Sequence, residues 1–294
     1  MHEYDQRNLL LDGYRGERIP SLMTLHDEPH GVKLSALNLA YRGGRLALRD
    51  LDLELRGPGI AAIVGANGAG KSSLLRVVAG YEHPTSGSVK VDGRNVGGGH
   101  PTRWLAYVGP SSPLFSGLSS VEHVRFAGAL QDDFDGGAAL ARLHRYGVPM
   151  DQPASRLSSG ERMQVSIALA MSKGARVLLF DEPLAPLDPL ARQMFVSELE
   201  AFVSKTGALA LVSSHDIADV GQLSTWLVLL SHGSIVASVS VAQVLTMSAT
   251  AGGPGPASEH WLAGGPAAGS AIGARGELIR EFVLDHMRAA RNEA

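Results

Sequence analysis

The sequence predicts an α/β protein with a mainly parallel sheet, an N-terminal antiparallel β subdomain and a small inserted α-helical subdomain. Three observations carry that expectation. Apolar runs of strand length, at 60–64 and 177–180, alternate with stretches of helical periodicity. Leu51, Leu53 and Leu55 alternate with Asp50, Asp52 and Glu54, the period of a half-buried strand. Between about residues 111 and 160 the alternation of strand and helix stops, and helical patterns follow one another.

In chain order, residues 1–31 mix charged residues and proline without a sustained period and are expected to form a poorly ordered extension. Strands are expected at 32–41 and 46–55, with Gly57-Pro58-Gly59 turning the chain into the apolar run 60–64. A helix then opens at Lys71, carrying Leu74, Leu75, Val77 and Val78 on one face. Strands at 88–91 and 105–108 follow. Ser120 is expected to cap a helix over 121–130, and a second helix over 138–146 ends at Gly147 and Pro149. The core resumes with a helix at 160–173, a buried strand at 177–180, and a helix for which Asp188 is the N-cap and Pro189 the first residue. After a strand at 209–213, Ser231-His232-Gly233-Ser234 turns between two further strands. Residues 248–275 read as a Gly/Ala/Pro-rich linker. Across 276–294 an amphipathic helix carries Leu278, Ile279, Phe282, Val283 and Met287 on one face and is expected to pack back on the core, the alternative being a docking or dimer element.

At 294 residues and 45% hydrophobic, the chain is long enough for a large core. A net charge of -3 gives no nucleic-acid footprint, and no nucleic-acid partner is expected. The absence of cysteine excludes disulfides, thiolate metal sites and cysteine nucleophiles. No stretch has the uninterrupted apolar length of a membrane span, nor does the N-terminus carry a secretory signal pattern.

The chemistry concentrates in Gly65-Ala66-Asn67-Gly68-Ala69-Gly70-Lys71-Ser72, between an apolar strand and a helix. Gly65, Gly68 and Gly70 let the backbone turn so that successive N–H groups point inward at phosphate oxygens, and the helix start adds its positive dipole end. Lys71 would neutralise the β and γ phosphates of a nucleoside triphosphate, and the Ser72 hydroxyl would hold Mg²⁺. Farther on, Val177-Leu178-Leu179-Phe180 delivers Asp181 and Glu182 to a strand end, where ligands of open α/β sheets gather. Asp181 would steady the Mg²⁺ and Glu182 would act as general base toward water.

Upstream of that strand, Leu157-Ser158-Ser159-Gly160-Glu161 resembles the L-S-G-G-Q signature of ABC-type ATPases. Together with Tyr41, the phosphate loop, Asp188 and His215, it places that family's motifs in the right order over roughly residues 32–240. The resemblance implies a P-loop NTPase core over 32–247, with ATP and Mg²⁺ bound and two ATP molecules sandwiched between head-to-tail protomers of a homodimer or heterodimer. It implies that Tyr41 stacks on adenine, although a tyrosine at a strand end also serves as packing. Gly65, Asn67, Gly68, Ala69, Gly70, Lys71, Ser72 and Ser73 would hold the nucleotide. Ser158 and Gly160 would face the γ-phosphate of the other subunit, and Asp188 would reach across the dimer as well as capping its helix. His215 would contact the γ-phosphate and the attacking water. The partner implied is a transmembrane permease, with this subunit cytoplasmic and peripheral on the membrane, and the compact form is most similar to drug- and antibiotic-exporter ATPases. A soluble ATPase acting on a nucleic-acid or ribosome partner and a weakly hydrolysing regulatory subunit are the other classes. One element departs from the family: Tyr107-Val108-Gly109-Pro110 puts proline where a glutamine would meet Mg²⁺ and water. Proline has no side-chain amide, so Ser111 or Ser112 would have to supply an oxygen or turnover would slow.

Overall fold

Leucines at every second position build the first sheet. β1 (Gly31–Ala40) and β2 (Leu46–Arg56) pair antiparallel with Leu34 opposite Leu53 and Val32 opposite Leu55, while Asp50, Asp52 and Glu54 face outward. The buried strand β3 (Gly59–Val64) leads into α1 (Lys71–Val78), after which β4 (Ser86–Val91) and β5 (Arg94–Asn95) complete a four-stranded sheet in the order β2-β1-β4-β5. Next come β6 (Leu105–Val108), α2 (Ser120–Leu130), α3 (Gly136–Tyr146), α4 (Ser159–Met171), β7 (Val177–Phe180), α5 (Pro189–Thr206) and β8 (Leu209–Ser214). β9 (Trp226–Ser231), β10 (Ser234–Ser240), α6 (Val241–Thr250) and α7 (Ala268–Asn292) follow. The second sheet has six strands in the order β10-β9-β3-β8-β7-β6, all parallel except the β10 edge. This computed structural model describes residues 31–96, 104–111, 113–216, 224–250 and 268–292. Residues 1–30 of the extension expected at 1–31, Ser112 and the middle of the expected linker lie outside the described residues, while Gly31 already belongs to β1.

Successive side chains of a strand point to opposite faces, so the parallel sheet lies between two cores. Ala61, Ile63, Leu179, Leu211 and Val228 face the antiparallel sheet and α1. Ala62, Val64, Leu178, Phe180 and Val212 face the other way, toward α4, α5 and the C-terminal helices. A third cluster, with Val124, Ala139, Leu143 and Val165, holds α2 and α3 against α4 as the inserted lobe. That lobe is also tied to α5: Glu198 forms an ion pair with Arg142 at 2.9 Å and accepts hydrogen bonds from Arg145 at 3.3 Å and from the Tyr146 hydroxyl, all three on α3. Burial and the Glu198 carboxylate push the Tyr146 phenol far above its ordinary pKa, so it stays a donor.

Several boundaries differ from the sequence expectation. Ser119, not Ser120, caps α2, because Ser119 stands three residues before Glu122 and the two close a reciprocal capping box. Ser120 instead donates to the Pro149 carbonyl at 2.9 Å. Asp135 caps α3, so this helix begins at Gly136. α6 and α7 take residues 248–250 and 268–275 from the expected linker. Alanine is the best helix former, and composition alone does not separate an alanine-rich helix end from a linker. Ile279 and Val283 of α7 are buried against the main core, where a docked amphipathic helix puts its apolar face.

The rings of Phe180 and Phe195 meet edge to face at 5.3 Å, and both are fully buried. Phe195→Ala should therefore destabilise the protein by about 3–5 kcal/mol, read as a lowered urea midpoint. An unchanged midpoint would show that α5 does not depend on this contact.

Candidate active site

The phosphate loop is built by close backbone approach. A Cβ on Gly65 would lie 2.4 Å from the Leu230 carbonyl oxygen, so only glycine fits between β3 and β9. Gly70 precedes α1 with φ at 108°, a left-handed conformation open to glycine. Between them Gly68 is also left-handed at 82°, Asn67 is exposed, and the Ala69 carbonyl accepts the Gly233 N–H at 3.0 Å. The first helical residue, Lys71, is 5% exposed and donates to the carbonyl of Gly65 at 2.7 Å and that of Ala66 at 3.3 Å. Tyr41 sits beside this turn, its hydroxyl 3.1 Å from Ser73 Oγ.

Across the sheet, β7 delivers two carboxylates into different surroundings. Asp181 is wholly buried: its Oδ1 accepts Ser72 Oγ at 3.0 Å and Ser213 Oγ at 2.8 Å, and its Oδ2 accepts the Tyr107 hydroxyl at 3.3 Å. Glu182 follows with φ at 50°, a conformation costly for a residue with a Cβ, and its N–H donates to Ser213 Oγ at 2.8 Å. Its side chain is 3.1 Å from Lys71 Nζ through one oxygen and 2.9 Å from His215 Nδ1 through the other. Burial raises the pKa of Glu182, but the hydrogen bonds and charges of His215 and Lys71 outweigh it and hold the carboxyl below its usual range. The Ser72 hydroxyl and the Asp181 carboxylate are hard oxygen donors facing one another. They fit Mg²⁺ with its remaining positions filled by water and phosphate oxygens.

The signature residues form a second group. Ser158 caps α4 and closes a box with Glu161, at 3.2 and 2.7 Å. A Cβ on Gly160 would come within 2.9 Å of the Pro186 carbonyl, which packs this helix start against the turn before Asp188. Asp188 caps α5 through the Ala191 N–H at 2.9 Å. Ser158, Gly160 and Asp188 line one cavity of about 360 Å³, and none of its lining residues belongs to the phosphate loop.

Thus Lys71, Ser72, Asp181, Glu182 and His215 are gathered in one place, with Tyr41 and Ser73 beside them. Ser158, Gly160 and Asp188 are gathered in another. Pro110 and Ser111 are exposed just beyond β6. Sequence reasoning missed Ser213 and Tyr107. The signal for Ser213 was a pair of serines ending an apolar strand, since a buried hydroxyl demands a partner; Tyr107 offered only the alternation of β6.

Residues 48–185 match the family model described as ABC transporter. The chain is also 34% identical over 197 residues to a cytochrome c biogenesis ATP-binding export protein of Cupriavidus pinatubonensis, covering 65% of this chain and 87% of that protein. This chain belongs to the ABC transporter ATP-binding family. A spermidine/putrescine import ATP-binding protein of Pseudomonas aeruginosa is 30% identical over 222 residues, which is 70% of this chain and 59% of that relative. The chain thus spans about three-fifths of that importer's length. Among solved structures, a Clostridium perfringens protein described as part of an ABC transporter complex aligns at a TM-score of 0.62 and 26% identity, covering 74% of this chain and 92% of its own. The P-loop NTPase core expected from the sequence is therefore the fold of this ABC ATPase domain. Its relatives serve both import and export, so family membership leaves direction open.

Folding favours the ionised form of Glu182. The stability it contributes is present above an unfolded pKa of about 4.3 and is lost as pH falls through the lower folded value. Urea midpoints should place wild type above Glu182→Gln most clearly beyond about pH 5 and converge in acid. A gap that widens toward acid would contradict the assignment.

Proposed function

We propose that this chain is the ATP-binding and hydrolysing subunit of a membrane transporter, working with a separately encoded transmembrane permease from the cytoplasmic face. The observation that carries the reading is the contact chain Lys71–Glu182–His215 beside the Ser72–Asp181 pair at the ends of β3, β7 and β8. Among the described residues no helix is long and apolar enough to cross a membrane, which accords with a separate membrane partner.

In this reading the backbone N–H groups of 65–70 and Lys71 hold the β and γ phosphates, Ser73 and Asn67 border them, and Tyr41 stacks on adenine. A Mg²⁺ held by Ser72 and Asp181 supplies neutralisation of the phosphate oxygens. Glu182 takes a proton from water as the water oxygen bonds to the γ-phosphorus and the bond to the β-phosphate oxygen of departing ADP breaks. His215 orients that carboxylate. Lys71 and His215 together make Glu182 a weak base; turning Lys71 to a phosphate removes one of the two cations and strengthens it when substrate is present. Since the cavity of Ser158, Gly160 and Asp188 shares no residue with the phosphate loop, a second protomer would bring its signature over the γ-phosphate, in a homodimer or heterodimer. Export is the direction we infer; an export protein at 34% identity supports it, with molybdenum importers at 32–33% close behind.

Lys71→Ala removes the buried ammonium of the cradle, so phosphate release should fall about 100-fold or more and ATP affinity should weaken. Unchanged binding and hydrolysis would remove the site. Pro110 favours a second reading, a regulatory subunit that hydrolyses weakly. Tight ATP binding by wild type with no measurable turnover, alone or with its permease, would select it.

A further inference from the structure

The polar group that the family resemblance expects after β6 is missing, yet the buried metal-site carboxylate is not left half satisfied. Ser72 and Ser213 both donate to Oδ1 of Asp181; the Tyr107 hydroxyl, at 3.3 Å, serves Oδ2. Tyr107 stands three residues before Pro110 on the strand that pairs directly with β7, in register opposite Leu179. Arg76 of α1 lies close enough to the phenol for each to raise or restrain the other's charge, so the hydroxyl sits between the helix that starts at the phosphate loop and the strand end that carries Asp181. The ring packs on Tyr81 at 5.4 Å between centroids and over Gly109, where a Cβ would come within 3.3 Å of it. Neither Pro110 nor the exposed Ser111 matches this placement.

We infer that Tyr107 is the positioning residue that orients Asp181 for Mg²⁺, in place of a polar side chain at position 110. The inference rests on the nucleotide-site reading above. A carboxylate anchored at both oxygens presents its lone pairs in one orientation, whereas one anchored only at Oδ1 is free to rotate about its Cβ–Cγ bond. Mg²⁺ demands near-octahedral geometry and is sensitive to such slack, and hydrogen bonds to a ligating carboxylate commonly change metal affinity by about tenfold or more. Tyr107 and Tyr81 both line the groove between core and helical lobe, a cavity of about 530 Å³. The orientation of Asp181 is thereby tied to the packing of that groove.

The test uses the full chain, a fluorescent ATP analogue and a Mg²⁺ titration. Tyr107→Phe keeps the ring and its packing on Tyr81 and removes only the hydroxyl. Nucleotide affinity in excess EDTA should match wild type, which also reports an intact phosphate loop, while the Mg²⁺ concentration for half-maximal tightening should rise about tenfold. Ser111→Ala should leave that midpoint in place. An unshifted Mg²⁺ midpoint in Tyr107→Phe overturns the role, as does an equal shift in Ser111→Ala. EDTA-state affinity lost along with the Mg²⁺ response would make Tyr107 a packing residue and overturn it too. Failure of wild type to bind the analogue at all is distinguishable from these outcomes and would remove the nucleotide site, and this role with it.

Discussion

A carboxylate with no exposure to solvent must find its hydrogen bonds inside the protein, and Asp181 finds them on three different elements. Ser72 comes from the first turn of α1, Ser213 from β8 and Tyr107 from β6, while the main-chain N–H of Asp181 donates to Val108 at 2.9 Å. One charged group thus sets how the phosphate-loop helix and three neighbouring strands stand relative to one another. A one-residue slip of β8 that brought Val212 into the place of Ser213 would remove one of these donors from a buried carboxylate. Glu182, next in sequence, escapes that fate through its left-handed backbone, which carries its side chain out to Lys71 and His215. In the proposed function the pair would divide the work, Asp181 holding the metal and Glu182 meeting the water.

The rest of the architecture holds this corner in place. Side chains of the parallel sheet pack into a core on each face, so the strand ends that bear the site are gripped from both sides. The inserted lobe is joined more locally, through the start of α4 and through the Glu198 cluster between α3 and α5. Both attachments border the cavity of Ser158, Gly160 and Asp188, since α4 begins at the signature and α5 at Asp188. The position of the lobe and the geometry of the signature are therefore coupled by adjacency in the chain.

What could be read in the sequence follows from how local each chemical requirement is. The phosphate loop, the Asp181-Glu182 pair and the cap at Asp188 are set by neighbours in sequence, and all appear where spacing placed them. Ser213 and Tyr107 were not legible because their roles depend on the register of β6, β7 and β8, which are far apart in the chain. The cap of α2 was legible in principle: Ser119 to Glu122 has the spacing of a capping box, whereas three residues after Ser120 stands His123. The start of α7 was hidden by composition, since Ala and Gly occur together in linkers and in helix ends.

The central claim, that two copies close over ATP with Glu182 as the base, is tested most directly by the mass of Glu182→Gln in solution with Mg²⁺ and ATP. Removing the base while keeping the phosphate cradle should trap the closed assembly. Light scattering should then move from the monomer at 30.9 kDa to about twice that mass, and return when ATP is replaced by ADP. ATP bound stoichiometrically to a species that stays monomeric, with or without its permease, would contradict the account.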